Sequence, residues 1–411
     1  MTLRILWLSD RMIGGYSAYS KVTYEVCTRL AKLGYHVAHI PMGRANKMGK
    51  QVYQGVLVYS SGNHPFAEDV AIEHYIDWKA DMLITLKEPW IFNHIHKYAI
   101  NFVPHAVIDH SPVSPSITAR LHTAFKIIAI SRFGQRELKQ AGFDSVYIPH
   151  GVRTDLYKPL DKAECKKLFF LDPDEFVVGI VAMNRVRKMI PRMLRGYKRF
   201  LELNPDVKSH LMLWTNITPR RPPSPEETPS GVSDVGVNLL PEIMQLGLGE
   251  AVRWPEWKQI EKIGGLPEWD PTGGWDMVKL YNSFDVLLLC SGGEGFGLPL
   301  LEAQAVGCPV ITTDYAAGPE LVGAGLTVPY YDYVINNTPG VRRALPDIDK
   351  MAEALTKIYN ADRERLARKA RRFAERYDWE RVIQNHWIPF LEDCEVELRP
   401  LVTAGGIKTW T

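Results

Sequence analysis

Phe284-Asp285-Val286-Leu287-Leu288-Leu289-Cys290 is an apolar strand, and it breaks into Ser291-Gly292-Gly293-Glu294-Gly295-Phe296-Gly297, a glycine-rich turn carrying one carboxylate. The turn hands on to Leu298-Pro299-Leu300-Leu301-Glu302, the start of a helix carrying a second carboxylate. Glycines let backbone N–H groups approach anionic oxygens closely, and the following helix N-terminus favours negative charge. The two glutamates are acceptors and suit sugar hydroxyls rather than phosphate. A ligand with both hydroxyls and phosphates is a sugar nucleotide, which is the ligand expected at this turn.

Outward from this stretch the chain alternates strand and helix. Leu3 to Leu8 is a nearly continuous apolar run, as expected of a strand covered on both faces. A loop with Gly14-Gly15 follows, then a helix over Ala18 to Lys32 ended by Gly34. Further strands are expected at Tyr35–Pro41, Gly55–Tyr59, Met82–Leu86, Ala106–Asp109, Lys126–Ile130 and Ser145–Ile148, with helices at Ala67–Lys79 and Arg132–Ala141. Residues 149–175 break the rhythm, and a second α/β series begins with a strand at Phe176–Ala182. It continues through a helix at Pro191–Leu203 and strands at His210–Trp214, Ala251–Trp254 and Val310–Thr313. This pattern implies parallel sheets with helices on both faces. Two domains are expected: 1–160, and 161–411 with the closing helix, about 380–411, packing back on the first. Two irregular insertions, 218–234 and 255–274, interrupt the second.

Composition narrows the class. A net charge of +2 supplies no global field for nucleic acid. The five cysteines are scattered, odd in number and in no C-x-x-C pair, which reads as free thiols in a reducing compartment. No apolar run approaches the ~20 residues that span a bilayer. A cytoplasmic protein is expected, and peripheral membrane contact stays open.

Other motifs have functional and plainer readings. Gly14-Gly15 lies where an open parallel sheet binds a ligand, but it lacks the dinucleotide fingerprint and also reads as a simple turn. Arg185, Arg187 and Lys188 sit where the second domain's first strand ends. They suit a diphosphate whose charge builds as it leaves, with Lys188 and Arg185 favoured, or else they form a solvated basic surface. Glu302, in an apolar helix, needs a polar partner such as a ribose diol unless it faces solvent. His110, just past a strand, is a donor to a sugar hydroxyl or a satisfied loop histidine. Asp172-Pro173-Asp174 reads as a turn rather than a metal site, and His94-Ile95-His96 lacks a matched ligand set. Arg363 to Arg376 reads as a solvated helix, less readily as an anionic membrane contact.

The block Ser291 to Ala303 resembles the E-x7-E signature of glycosyltransferase family 4, the retaining GT-B enzymes. Gly307-Cys308-Pro309-Val310-Ile311, Gly318-Pro319-Glu320-Leu321-Val322, Ile130-Ser131, Ile148-Pro149-His150-Gly151-Val152 and the Gly14-Gly15 loop are similar to that family in the same order. The resemblance implies two facing Rossmann-like domains with a sugar nucleotide in the cleft. It implies that Glu302 binds ribose, Glu294 the donor sugar, and the backbone of Gly295, Phe296, Gly297 and Leu298 the sugar and phosphates. Lys188 with an arginine would clamp the diphosphate, Gly15 beside Gly14 would face the phosphate, and His110 would lie near the donor sugar. The implied activity is retaining, metal-independent transfer of a hexose, of glucose or mannose type, from a nucleoside-diphosphate sugar to an acceptor hydroxyl. No cofactor is called for. The alternatives are a sugar-nucleotide epimerase of the same architecture and a non-catalytic sugar-nucleotide-binding protein. The family commonly has a Gly-Arg pair after the second domain's first strand, where this chain has Met183-Asn184-Arg185.

Overall fold

Two uninterrupted apolar runs seed two separate sheets in the computed structural model, which describes residues 2–15, 17–43, 45–47, 49–219, 234, 236–255, 266–268, 270–336 and 340–398. Most of both insertions, with Trp257 and Trp269, and the tail beyond 398 lie outside the described residues. The first sheet holds β1 (Arg4–Ser9), β2 (His36–Pro41), β3 (Gln51–Tyr53), β4 (Val56–Val58), β5 (Met82–Leu86), β6 (Phe102–Ala106), β7 (Ile128–Ala129) and β8 (Val146–Tyr147). Their order is β3-β4-β2-β1-β5-β6-β7-β8, all parallel except β3, which runs antiparallel to β4 at the edge. The second sheet holds β9 (Phe176–Val181), β10 (Ser209–Trp214), β11 (Val252–Arg253), β12 (Val286–Leu289), β13 (Val310–Thr313) and β14 (Gly325–Val328). It is parallel throughout, in the order β11-β10-β9-β12-β13-β14.

In each sheet the winding reverses beside the first strand. β1 lies between β2 and β5, and β9 between β10 and β12. Parallel sheets bind ligands outside the carboxyl ends of the strands at such a reversal. That rule singles out the loops after β1 and β5 in one lobe and after β9 and β12 in the other. An antiparallel hairpin, β15 (Tyr330–Asn336) and β16 (Val341–Pro346), leaves the second sheet and reaches the first lobe.

Helices form where the sequence carries a cap ahead of an apolar stripe. The Ser17 hydroxyl accepts from the Ser20 N–H to open the helix Ala18–Lys32, and Asp347 caps Ile348–Tyr359 through the Lys350 N–H. Asp285, opening the decisive stretch, is buried where Lys166 reaches it at 2.8 Å and its other oxygen takes Lys162 at 3.2 Å. It thereby ties the helix Lys162–Leu168 to the second sheet. Asp172 accepts from the Asp174 N–H, so Asp172-Pro173-Asp174 is a turn.

The segment 379–391 returns to the first strand. Trp379, Ile383, Trp387, Phe390 and Leu391 are buried with Leu3, Ile5 and Trp7 in one core, and Trp7 and Trp387 stand 5.6 Å apart, ring to ring. No helix among the described residues is long and apolar enough to cross a membrane.

The expected strand at Ala106–Asp109 is corrected to Phe102–Ala106. Pro104 and His105 discourage a strand assignment, but Pro104 has no N–H to satisfy, and the His105 ring bonds the Thr85 carbonyl at 3.0 Å. Residues 107–109 are thereby freed as the loop that meets the second lobe. β3, β14, β15 and β16 are not anticipated from the sequence. They are edge strands or a hairpin, whose polar, half-exposed faces leave little periodic signal.

Candidate active site

The glycine turn after β12 is pressed against the loop after β6. A Cβ on Gly293, whose φ is +145°, would lie 2.2 Å from the Asp109 carbonyl oxygen, and one on Gly295 would lie 2.5 Å from Val107. Any side chain at either position would hold the lobes apart, so glycine here is a requirement of the interface. The turn is anchored from its own lobe as well. Gly292 N–H donates to the Arg187 carbonyl at 2.8 Å, Ala344 N–H to the Gly292 carbonyl at 3.0 Å, and Ala317 N–H to the Glu294 carbonyl at 3.1 Å. Phe296 is buried with its ring 5.0 Å from His150, edge to face.

Glu294 is buried between two cations from the loop after β9. Lys188 Nζ lies 2.5 Å from its Oε1, and Arg187 Nη1 3.8 Å from its Oε2. Burial pushes the Glu294 carboxyl up, but Lys188 and Arg187 together hold it below the usual carboxylate range. Burial, with Arg187 beside it, holds the Lys188 ammonium below its ordinary value despite Glu294. Arg187 faces both lobes. Burial opposes its charge, yet Glu294, Asp109 and Glu88 raise its pKa. A short 3-10 turn, Val186–Lys188, aims these two side chains inward, and Arg185 precedes it in extended conformation. Arg185 instead donates to the Asp234 carbonyl at 3.0 Å. The arginine at Glu294 is therefore Arg187, a correction to the emphasis on Arg185. The adjacency of Arg187 to Lys188 was the available signal, and the direction of the turn decided between the arginines.

Glu302 is buried on the helix Leu298–Ala305 with both oxygens engaged. Tyr281 donates to Oε2 at 2.7 Å, and Lys21 of the first lobe to Oε1 at 3.0 Å. Lys21 Nζ also lies 3.3 Å from Glu268. Burial works against the Lys21 charge, but Glu302 and Glu268 more than offset it, and its pKa rises. The space among Lys21, Glu25, Tyr157, Glu268 and Glu302 is about 20 Å³, room for about one water. Sequence reasoning missed Lys21. Its signal was the charged stripe Lys21, Glu25, Arg29 at helical spacing on the helix Ala18–Lys32.

The first-lobe wall comes from the loops after β1, β5 and β6. Gly15 N–H donates to the Met12 carbonyl at 3.1 Å, and Gly14 lies under the Tyr53 hydroxyl. Tyr19 donates to Glu88 at 3.0 Å, with Lys87 over the Tyr19 ring. His110 is buried with both ring nitrogens engaged in its own loop. Nδ1 donates to Asp109 at 2.8 Å, and Nε2 accepts from the Ser114 N–H at 3.2 Å. The ring thus supports Asp109. Arg343, on β16, reaches Asp109 Oδ2 at 2.7 Å across the lobes. Burial pushes the Asp109 carboxyl up, but Arg343 and then His110 hold it well below the usual range. The structure brings Lys188, Glu294, His110 and the turn Gly295 to Leu298 to one interlobe seam, with Glu302 on a neighbouring lobe-to-lobe contact. Among the described residues, Arg185 donates to the Asp234 carbonyl. Among the described residues no group of three or more His, Cys, Asp or Glu could hold a metal ion.

Residues 242–361 match the family described as Glycosyl transferases group 1, an interval that holds Glu294, Glu302 and the glycine turn. The chain is 27% identical over 244 residues to D-inositol 3-phosphate glycosyltransferase of Actinosynnema mirum, covering 58% of this chain and 49% of the relative. It therefore spans about half the length of that relative. Among solved structures it is similar to sucrose-phosphate synthase from Thermosynechococcus elongatus, with a TM-score of 0.69 at 17% identity over 96% of this chain and 100% of the other. It is also similar to HepE of Anabaena in complex with UDP and glucose, with a TM-score of 0.65 at 16% identity over 95% of this chain and 100% of the other. The fold is GT-B, two Rossmann-like units face to face.

Proposed function

We propose that this chain, whose second lobe carries a glycosyl transferases group 1 match on a GT-B fold, moves a hexose from a nucleoside-diphosphate sugar to an acceptor hydroxyl with retention of configuration. The observation that carries this reading is Glu294, buried between Lys188 and Arg187 on a turn whose backbone abuts the opposite lobe. A carboxylate in that setting accepts from sugar hydroxyls, while the two cations face the departing diphosphate. Glu302, with Tyr281 steadying one oxygen, takes the ribose hydroxyls on the other.

The acceptor oxygen forms its bond to the anomeric carbon as the bond from that carbon to the β-phosphate oxygen breaks, through an oxocarbenium-like state. The acceptor proton passes to the leaving phosphate on the same face. Lys188 and Arg187 stabilise the charge that grows there, an effect worth about 3–4 kcal/mol for a well-placed donor. These fixed cations serve in place of a metal ion, so activity is expected to survive a chelator. Tyr19 and Glu88 offer the acceptor a hydrogen-bonding wall from the first lobe. Five buried free thiols support a cytoplasmic setting.

A thermal-shift screen against UDP-, GDP- and ADP-sugars identifies the donor, since at equal concentration a ligand that binds only the folded state raises the melting temperature more the tighter it binds, as the logarithm of its affinity. Glu302→Gln should weaken the preferred donor by about 1.5–3 kcal/mol, the value of hydrogen bonds to a charged group. Donor affinity unchanged in that variant would remove Glu302 from the ribose site.

A further inference from the structure

Where the returning chain passes between the lobes, a cavity of about 480 Å³ is lined by Arg132, Tyr147, Glu320, Arg376, Tyr377 and Arg381, among others. It shares no lining residue with the seam around Glu294 and Glu302. Its three guanidinium groups come from separate elements: the first turn of the helix Arg132–Gln140, the turn Glu375–Tyr377 and the helix Trp379–Val382. Arg376 and Arg381 make no ion pair among the described residues. The carboxylates nearest in sequence are already taken, Glu375 by Arg371 at 2.8 Å and Glu380 by Arg29 at 2.8 Å. Glu320, the acidic group in the wall, accepts from the backbone N–H groups of Arg132 and Phe133. The guanidinium of Arg132 lies 3.8 Å over the Tyr147 ring, and that of Arg376 lies 4.6 Å over Phe373. Burial first, with Arg132 nearby, lowers the His386 pKa and favours a neutral ring in the same wall.

Three exposed arginines line one concavity and outnumber the single carboxylate of its lining, Glu320, which Arg136 also approaches at 3.8 Å. The excess of positive charge in the lining favours an anion seated there. Guanidinium planes held on aromatic rings are ordered in advance for the paired N–H···O contacts that phosphate oxygens accept. The volume falls within the range of small-molecule pockets, about 300–1,000 Å³. We infer that this groove is a second ligand site that binds a phosphate-bearing anion, either a free phosphorylated small molecule or the phosphomonoester headgroup of a lipid. Arg132 and Tyr147 belong to the first lobe, Glu320 to the second, and Arg376 and Arg381 to the segment joining them. An occupant therefore touches all three parts and bears on how the lobes close.

The test titrates inorganic pyrophosphate into the full chain by calorimetry at fixed ionic strength. The wild type is compared with the cleft variant Lys188→Ala and the double variant Arg376→Ala/Arg381→Ala. The expected result is saturable binding that persists in Lys188→Ala and weakens at least tenfold in the double variant, whose melting temperature and donor affinity stay at wild-type values. Co-sedimentation with phosphatidic acid vesicles against phosphatidylcholine vesicles separates the two sources. Vesicle capture lost in the double variant assigns a lipid headgroup, and pyrophosphate binding without vesicle capture assigns a soluble ligand. Pyrophosphate binding that survives at wild-type affinity in the double variant, whatever Lys188→Ala does, or no saturable binding together with no selective vesicle capture, would overturn the inference.

Discussion

Lys21→Met should tighten donor binding. In the structure the Lys21 ammonium occupies the Glu302 oxygen that the ribose requires, at 3.0 Å, and the space beside it is about 20 Å³. A ribose cannot enter until that ammonium withdraws. A hydrogen bond between charged groups contributes about 1.5–3 kcal/mol. Glu268 stands 3.3 Å from the same nitrogen, so a displaced Lys21 keeps one carboxylate partner and loses only part of that value. If the net penalty is ~1 kcal/mol, the gain in affinity on removing the charge is about fivefold, since 1.4 kcal/mol is tenfold. Methionine keeps the length and packing of the stem while removing the cation. The assay is calorimetric titration of the preferred sugar nucleotide into wild type, Lys21→Met and Glu302→Gln. Affinity lowered in Lys21→Met as far as in Glu302→Gln would mean that Lys21 is part of the donor cradle. Unchanged affinity would mean that it does not compete. Either outcome refutes the exchange, and the Glu302→Gln arm tests the ribose assignment separately.

Lys188→Ala and Arg187→Ala should each lower kcat by about 10²–10³ while changing donor Kd much less, and Arg185→Ala should leave kcat near wild type; steady-state kinetics beside direct donor titration checks the split. Arg343→Met and Asp109→Asn should be non-additive, with a coupling of about 0.5–3 kcal/mol, because the two side chains meet across the lobes at 2.7 Å. Chemical unfolding of the four proteins measures that coupling, and additive losses would mean that the contact is not maintained in solution. Burial holds His39 and His105 down to about 4 and His150 to about 3, against an ordinary 6.5, so each favours the folded state fully above pH 6.5 and loses that contribution as pH falls through 4, or through 3 for His150. Burial raises Glu25 to about 7, against the pull of Arg29, so its contribution has the opposite sign, complete below pH 4.5 and lost as pH rises through 7. Three histidines outweigh one carboxyl, and at ~1.4 kcal/mol per pKa unit the melting temperature should fall steadily from pH 7 to 4.5. Glu25→Gln should raise it at pH 8 relative to pH 6, and a flat profile in calorimetry would contradict the burial argument.

The architecture was legible because it rests on local patterns. β1, β9 and β12 are nearly unbroken apolar runs, and the helix Ala18–Lys32 lies between a serine cap and a terminating glycine. The glycine turn between β12 and its helix, with glutamates at 294 and 302, could be read for the same reason: strand, turn and helix N-terminus are adjacent in the chain. The assignments that shifted depend on contacts from elsewhere. β6 contains a proline and a histidine that only the neighbouring strand accommodates.

The sequence by itself determined two α/β units, the turn that joins strand to helix, and a pair of acidic side chains eight positions apart. Only the tertiary structure decided what faces them. Arg187 reaches Glu294 while Arg185 donates to the Asp234 carbonyl, because a single 3-10 turn separates the directions of the two side chains, although Arg187 Nε also lies 4.0 Å from the Asp234 carboxylate. Lys21, 281 positions away, covers Glu302, and Arg343 reaches Asp109 over 234. Pairings of that range carry no periodic signal in the chain. They exist because two separate sheets bring the carboxyl ends of their strands face to face, and charge at those ends must find a partner across the seam.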